Sequence, residues 1–466
     1  MTNAFISPHA GRGGRGRARW AILLSVLATA CGLLDVQNPD TIVPEDLDTP
    51  SGVAALRAGA IGDYSLAMVG DNGVNEGLIA VSGSFTDELV NSETFPTRIE
   101  YDRRTIDTRN ATLTGIFRSI HRARRSAELA ADRWSTIMPD SATRIAEMLT
   151  FAGFTYNAIG EYYCSGVPFS DLNRDGSVTY GVPETTTQIF DRAIARFDAA
   201  LVAVPTYAPA LIGRARALLN EGRFAEAGTG LAGVTTAFTF NTTHTSSIAN
   251  NGRQQNGVFR FTVSFERFSM ANADGGNGIN FRTASDPRIP WRRTPATDVG
   301  FDNATPQFDQ GKYAAETTPV AIASGIEARL IEAEAALQAS DFTTWLTTLN
   351  ALRANAALVP AAPAGFPTFP ALTPLADPGT PTARQDLHFR ERVFWLYLTG
   401  HRLGDLRRLV RQYGRDPQTV YPGGGGALYV VDGNPKGGTF GNDFVIPVSF
   451  DETNNPNFTG CLSTAP

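Results

Sequence analysis

Two segments of the chain place small and aromatic residues at one shared spacing. In "ALIGRARALLNEGRFAEAGTGLAGV" (210–234) the residues Ala215, Leu218, Gly222, Phe224 and Ala227 stand at relative positions 0, 3, 7, 9 and 12. Ala333, Ala336, Ser340, Phe342 and Trp345 repeat those positions in "GIEARLIEAEAALQASDFTTWLTTLNALR" (325–353). This is the pattern of a tetratricopeptide-type helix pair, in which small residues let two helices approach and an aromatic after the turn fills the gap. Such a pair cannot bury its remaining faces alone and must stack on a neighbour. The two hits lie 118 positions apart, so the chain predicts an interrupted helical scaffold, with two unrelated hairpins as the alternative.

Other segments extend the helical reading. Apolar residues recur at helical spacing over 51–69, over 110–131 (Ile116, Ile120, Ala123, Ala127, Ala130) and over 141–163. "ETTTQIFDRAIARFDAAL" predicts another helix with Thr186 or Thr187 as N-cap. Residues 92–109 and 164–183 read as loops. Residues 234–320 turn to Thr, Asn, Gly and Phe in short alternating runs such as "GVFRFTVSFERF", which predict one or two strands with irregular loops. The Ala- and Pro-rich stretch 357–381 predicts an exposed excursion, and "GGGG" at 423–426 a flexible loop.

The N-terminal region narrows the compartment. Arg12, Arg15, Arg17 and Arg19 precede an apolar run from Trp20 to Leu27, too short to span a bilayer, and then Ala28, Thr29, Ala30 and Cys31. This order resembles a lipoprotein signal peptide over residues 1–30 with Cys31 as the lipid-attachment site; an ordinary signal peptide is the alternative. The four arginines removed with the leader leave 36 basic against 46 acidic side chains, a net charge of −10, which argues against a nucleic-acid partner. With Cys31 lipidated, Cys164 and Cys461 remain in an oxidising compartment and are expected to pair, the alternative being two separate buried thiols.

Residues 390–408, "RERVFWLYLTGHRLGDLRR", interleave aromatics with charges so densely that burial requires the charges to be paired, for example Arg390 or Arg392 across to adjacent helices and Arg402 with Asp405. The stretch resembles the C-terminal signature of the SusD/RagB family of outer-membrane nutrient-binding lipoproteins. Other segments are similar to that family's in the same order: "LLDVQNP" at 33–39, "GVPFSD" at 166–171, "ARLIEAEAAL" with "LNALRANAAL", and "VIPVSFDETNNPN" at 445–457.

The resemblance implies a mostly α, SusD-like single domain over 31–466. Tetratricopeptide-like helix pairs (about 186–233 and 321–356) and a signature helix (about 384–412) would support a less regular ligand-binding half containing short strands. It implies an outer-membrane, surface-exposed lipoprotein that is not an enzyme and delivers an oligosaccharide or peptide to a SusC-type, TonB-dependent barrel transporter. A helical-repeat adaptor lipoprotein binding another envelope protein is the alternative.

For ligand contacts, exposed aromatics with polar neighbours are the natural candidates: Phe95, Tyr101 and Arg103 in one region that matches no family motif, and Trp291 in another. No cofactor is expected. Asp171, Asn173 and Asp175 have the spacing of the first half of a calcium loop, but Val182 stands where the bidentate Glu belongs, and an Asx-turn loop is the competing reading. The five histidines are too scattered for a metal site, with His401 expected in the core. Asp87 and Glu88 are an acid pair that a glycosidase could use if their separation suited the chemistry.

Overall fold

The computed structural model of the protein describes residues 46–466, apart from 174 and 295–297. The leader 1–30, Cys31 and the segment 33–39 lie outside the described residues. Helices dominate: α1 (Pro50–Val69), α2 (Gly77–Phe85), α3 (Pro96–Asp102), α4 (Ala111–Ile137), α5 (Ala142–Tyr162), α6 (Thr186–Ala203), α7 (Ala208–Asn220) and the single turn α8 (Phe224–Ala227). After the strand-bearing middle come α9 (Gly325–Gln338), α10 (Phe342–Ala354), α11 (Pro381–Trp395) and α12 (Arg402–Arg411). Among the described residues no helix is long and apolar enough to cross a membrane.

Strands are short and form two-stranded antiparallel pairs: β1 (Leu89–Asn91) with β7 (Phe268–Met270), β2 (Val167–Pro168) with β5 (Pro183–Glu184), β3 (Asp171–Leu172) with β4 (Val178–Thr179), β6 (Thr239–Thr242) with β10 (Val320–Ser324), β8 (Trp291–Arg293) with β9 (Phe308–Gln310), and β11 (Leu428–Val431) with β12 (Asn434–Thr439).

Local chemistry explains the helix boundaries. The Thr49 hydroxyl accepts from the Gly52 amide at the start of α1, Asn110 does the same for α4, and Ser324 for α9. Thr185, one residue before the expected caps, closes a capping box with Gln188 on α6, because only Thr185 has the extended backbone that aims its hydroxyl at the third helical amide.

The two spaced motifs do form helical turns. The residue at the seventh position, Gly222 or Ser340, takes the left-handed conformation (φ +74° and +61°) that reverses the chain between α7 and α8 or between α9 and α10. Although distant in sequence, the two pairs are neighbours in space: a side chain at Gly228 would press on the Ala335 methyl, and Arg216 on α7 reaches Glu327 on α9 at 2.6 Å. Ala227 and Trp345 are both fully buried, as their places in the motif require.

Further expectations are corrected. Residues 92–109 are not one loop, because Pro96 starts α3 at its preferred first-turn position. "GVFRFTVSFERF" is mostly not a strand: Gly257–Phe259 is helical, Arg260–Ser264 is a π turn, and β7 begins only at Phe268. The signature helix breaks after Trp395, where Leu398 (φ +51°) and Gly400 (φ +83°) turn the chain, and the Tyr162 hydroxyl, donating to the Gly400 carbonyl at 2.6 Å, leaves no room for a side chain there.

The charges of that segment form a buried network. Glu334 on α9 accepts from Arg408 (2.5 Å) and Tyr413 (2.6 Å) and meets His388 at 3.2 Å. Asp405 holds Arg392 bidentately at 2.9 Å and Arg408 at 2.7 Å. Glu391 pairs with Arg288 and Arg353. Arg402 does not pair with Asp405 as expected; it forks onto Asp87 at 2.6 and 2.7 Å, because the break after Trp395 turns it towards α2. His401 is buried and lies 3.1 Å from Glu327.

Cys164 and Cys461 form a disulfide across 297 residues, with the C-terminal tail laid along residues 163–166 by backbone hydrogen bonds. The "GGGG" segment is closely packed at its start, where Gly423 lies under the Phe440 ring and Gly424 against the Gln418 carbonyl. Residues 359–380 carry no regular structure and are largely exposed.

Candidate ligand-binding site

Loop 71–76, the start of α3 and the π turn 260–264 meet at an aromatic cluster. Phe95 occupies the N-cap of α3 and is 47% exposed; Phe301, in a tight turn, is also 47% exposed. Between them lies Arg267, its guanidinium 5.3 Å from the Phe95 ring, 4.3 Å from Phe301 and 5.9 Å from Phe265. Arg260 covers Phe265 at 4.4 Å, and Arg98 lies 4.9 Å over Phe95.

Two buried carboxylates hold Arg98 and Arg267 in place. Glu93 accepts from Arg98 at 2.6 Å and also pairs with Arg267, and Glu76 pairs with Arg98. Burial pushes the Glu76 carboxyl above its ordinary range, with Arg98 opposing the shift. Stacked guanidinium groups fixed at their far ends make a stiff platform whose ring edges and outer faces meet solvent.

Beside the platform a cleft of about 500 Å³ opens between α1, α4 and loop 71–76, lined among others by Asn75, Thr112, Ser119, Arg122 and Arg253. Gly73, at φ +99°, lets the loop lie flat on the Phe265 ring, where a side chain would begin 3.0 Å from the ring carbon. The Thr97 and Thr112 hydroxyls hydrogen-bond at 2.9 Å and join α3 to the cleft wall. Apolar faces beside hydroxyl, amide and guanidinium groups suit a ligand with C–H faces and many hydroxyls.

Of the sequence candidates, Phe95 belongs to this cluster. Tyr101 is fully buried, its ring 6.5 Å from Phe268, and reaches no ligand because its helical position points it into the core. Arg103 is half-exposed at the far end of α3, donates to Thr105 at 3.2 Å and lies beside Gly438. Trp291 is half-buried under the Pro-rich excursion, with Phe308 at 5.7 Å and Phe369 at 6.2 Å as ring neighbours, and its indole donates to the Arg282 carbonyl. None of those partners belongs to the Phe95 cluster. Phe265, Phe301, Arg260 and Arg267 were missed; the first and the two arginines lie in the stretch read as a strand, and Phe301 stands alone among turn residues.

Asp171, Asn173 and Asp175 make a tight hairpin end. Asp171 pairs with Arg124 at 3.3 Å, Asn173 donates to Ser177 and Thr179, and Asp175 accepts from the Ser177 amide at 2.9 Å. Among the described residues no three His, Cys, Asp or Glu side chains are grouped to hold a metal ion.

Asp87 and Glu88 are both buried. Asp87 is bound by Arg402, and a Glu88 oxygen accepts from the Leu398 amide at 2.8 Å, so the pair presents no carboxylate to a substrate. Burial raises the Glu88 pKa from 4.5 to about 8, against the Leu398 amide and Arg402. A carboxyl whose pKa is raised by folding binds its proton more tightly in the native state. Its contribution to stability is therefore full below pH 4.5 and lost as pH rises towards 8. Glu88→Gln is expected to flatten the fall of Tm between pH 5 and 8, read by calorimetry at several pH values; a variant whose Tm falls as steeply as the parent's contradicts this assignment.

The fold is SusD-like, shared with solved structures over most of the chain. A SusD-like protein from Bacteroides fragilis superposes with a TM-score of 0.65 at 13% identity, covering 91% of this chain and 98% of its own. A SusD superfamily protein from Bacteroides thetaiotaomicron gives 0.63 at 12% identity, with 89% and 100% covered. A surface glycan-binding protein from Bacteroides fluxus gives 0.57 at 12% identity, with 90% and 99% covered. No family profile matches the sequence, and no curated protein matches it.

Proposed function

We propose that this chain is a surface glycan-binding lipoprotein that takes an oligosaccharide onto the Phe95, Phe265 and Phe301 cluster and passes it to a SusC-type, TonB-dependent barrel. The observation that carries the reading is the solvent-open aromatic cluster around Arg267, set beside a polar cleft. The structural neighbours support it, since a SusD-like carbohydrate-binding protein of Bacteroides fragilis covers 88% of this chain with a TM-score of 0.60. Attachment through Cys31, exposure at the outer-membrane surface and the barrel partner belong to the same proposal, and a binding role without catalysis suits a site built of rings and cations. Calcium at the Asp171 hairpin is a separate proposal, and calorimetric titration tests it.

Isothermal calorimetry with oligosaccharide fractions from a polysaccharide panel tests binding. Phe95→Ala with Phe301→Ala is expected to weaken the bound fraction about 10- to 100-fold, from about 0.5–1.5 kcal/mol for each lost ring contact. An unchanged affinity moves the ligand elsewhere on the molecule, and silence across the whole panel contradicts glycan binding.

A further inference from the structure

A second surface, remote in composition from the aromatic cluster, gathers cations on an acidic protein. Helices α4 and α6 and the β3–β4 hairpin border a groove of about 560 Å³ that receives Arg124, Arg125 and Arg133 from α4 and Arg192 and Arg196 from α6. Arg124 and Arg192 are fixed: their guanidinium groups lie 5.6 and 5.4 Å from the buried Phe169 ring, and Glu128 and Glu184 bind them at 2.8 and 2.5 Å.

The other three are held loosely. Arg125 reaches Asp171 at 3.6 Å, Arg196 reaches Glu128 at 3.6 Å, and Arg133 reaches Asp48 and Asp132 at 3.4 and 3.9 Å. Among the described residues none of these three donates a hydrogen bond; the Nε atoms of Arg133 and Arg196 are buried, so it is the terminal amino groups that an incoming oxyanion would meet.

Next to the groove the hairpin shows solvent an apolar edge. Leu172, which lines the groove, is 64% exposed; its strand partner Val178 is exposed too, and so are Tyr180 and Val182 in the segment that follows the hairpin. Exposed aliphatic side chains and a tyrosine close in sequence to a groove of arginines are the composition of a surface that sits at a membrane interface, where phosphates take the cations and the headgroup boundary takes the apolar side chains.

The chain's own course indicates which surface this is. The described residues begin at Asp46, and Asp48 lies against Arg133 at the rim of the groove, which puts the start of the described chain on this face. Cys31 and Asp46 are 15 positions apart, a reach of at most about 50 Å when extended.

We propose that the arginine groove with the apolar β3–β4 hairpin is a docking surface for the phosphate headgroups of the membrane that holds the chain. This rests on the lipoprotein reading above. It adds that the anchored protein lies in a fixed orientation, with Arg125, Arg133 and Arg196 exchanging their long carboxylate contacts for phosphate oxygens.

Cosedimentation of the mature chain carrying Cys31→Ser, which removes the lipid, tests the surface by itself. The vesicles are phosphatidylcholine alone or phosphatidylcholine with 30% phosphatidylglycerol. Partitioning is expected to be at least about tenfold stronger onto the anionic vesicles and to weaken as salt is raised. Arg125→Gln, Arg133→Gln and Arg196→Gln together should remove about 10- to 100-fold of it, and Leu172→Ser with Val182→Ser should weaken it independently. Thermal melts of both variants confirm folding. Equal partitioning onto the two vesicles, no partitioning, or binding untouched by both variants overturns the proposal. An unmodified Cys31 in the native protein would instead show in its mass and would refute the anchor, whatever the vesicles do.

Discussion

Replacing Glu334 with alanine is expected to destabilise the protein by about 3–5 kcal/mol, the range for breaking a buried ion pair by removing one partner. Glu334 is completely buried and serves Arg408, His388 and Tyr413 at once, so its loss strands a cation on α12 and polar groups on α11 and after α12. The neighbouring cations, Arg408 above all, hold its carboxyl well below the ordinary range although burial opposes them. A carboxyl depressed in this way contributes stability above its unfolded pKa and loses that contribution as pH falls into the acid range. Tm should drop by roughly 3 to 6 °C at neutral pH. Glu334→Gln keeps hydrogen-bonding capacity but not the charge and should fall between the two. A Tm within 1 °C of the parent would mean that Asp405 alone neutralises the arginines.

The disulfide carries the second large effect. Cys164→Ser with Cys461→Ser is expected to cost about 2–5 kcal/mol. The tail depends on it locally: Ser165 and Ser463 pair through their backbones at 3.0 Å, and Leu462 donates to the Ser165 carbonyl at 2.8 Å. These few hydrogen bonds, with Leu462 exposed, are too little to hold residues 458–466 in place by themselves. Limited proteolysis should therefore clip the tail of the double variant well before any cut elsewhere. Tail cleavage at equal rates in both forms would refute this role for the bridge.

The scaffold was legible in the sequence because its signals are local. A helix pair needs small residues, a left-handed turn residue and an aromatic at fixed offsets, and Gly222 with Ser340 meets that need within thirteen residues. Burial of the charges in 390–408 was equally readable, since no solvated helix needs Phe394, Trp395, Leu396, Tyr397 and Leu398 in succession. The partners were not, because Asp87 lies 315 residues from Arg402, and the break at Leu398 and Gly400 that joins them depends on Tyr162 from α5.

The aromatic cluster around Arg267 was least legible for the same reason. Phe95 was visible as an aromatic in a polar stretch, but Phe265, Arg267 and Phe301 come to it from turns whose positions are set by long-range packing. Tyr101 looked the same as Phe95 in sequence, but it lies within α3 on the side that faces the core, whereas Phe95 precedes the helix at its N-cap.

Hydrogen-exchange mass spectrometry with and without a bound oligosaccharide tests the proposed site most directly. Protection is expected in peptides spanning 71–76, 93–99 and 260–267, with no change around Trp291 and Phe369. Protection confined to the Trp291 and Phe369 region, or none in the three segments at saturating ligand, would contradict the assignment of the Arg267 cluster as the place where the glycan binds.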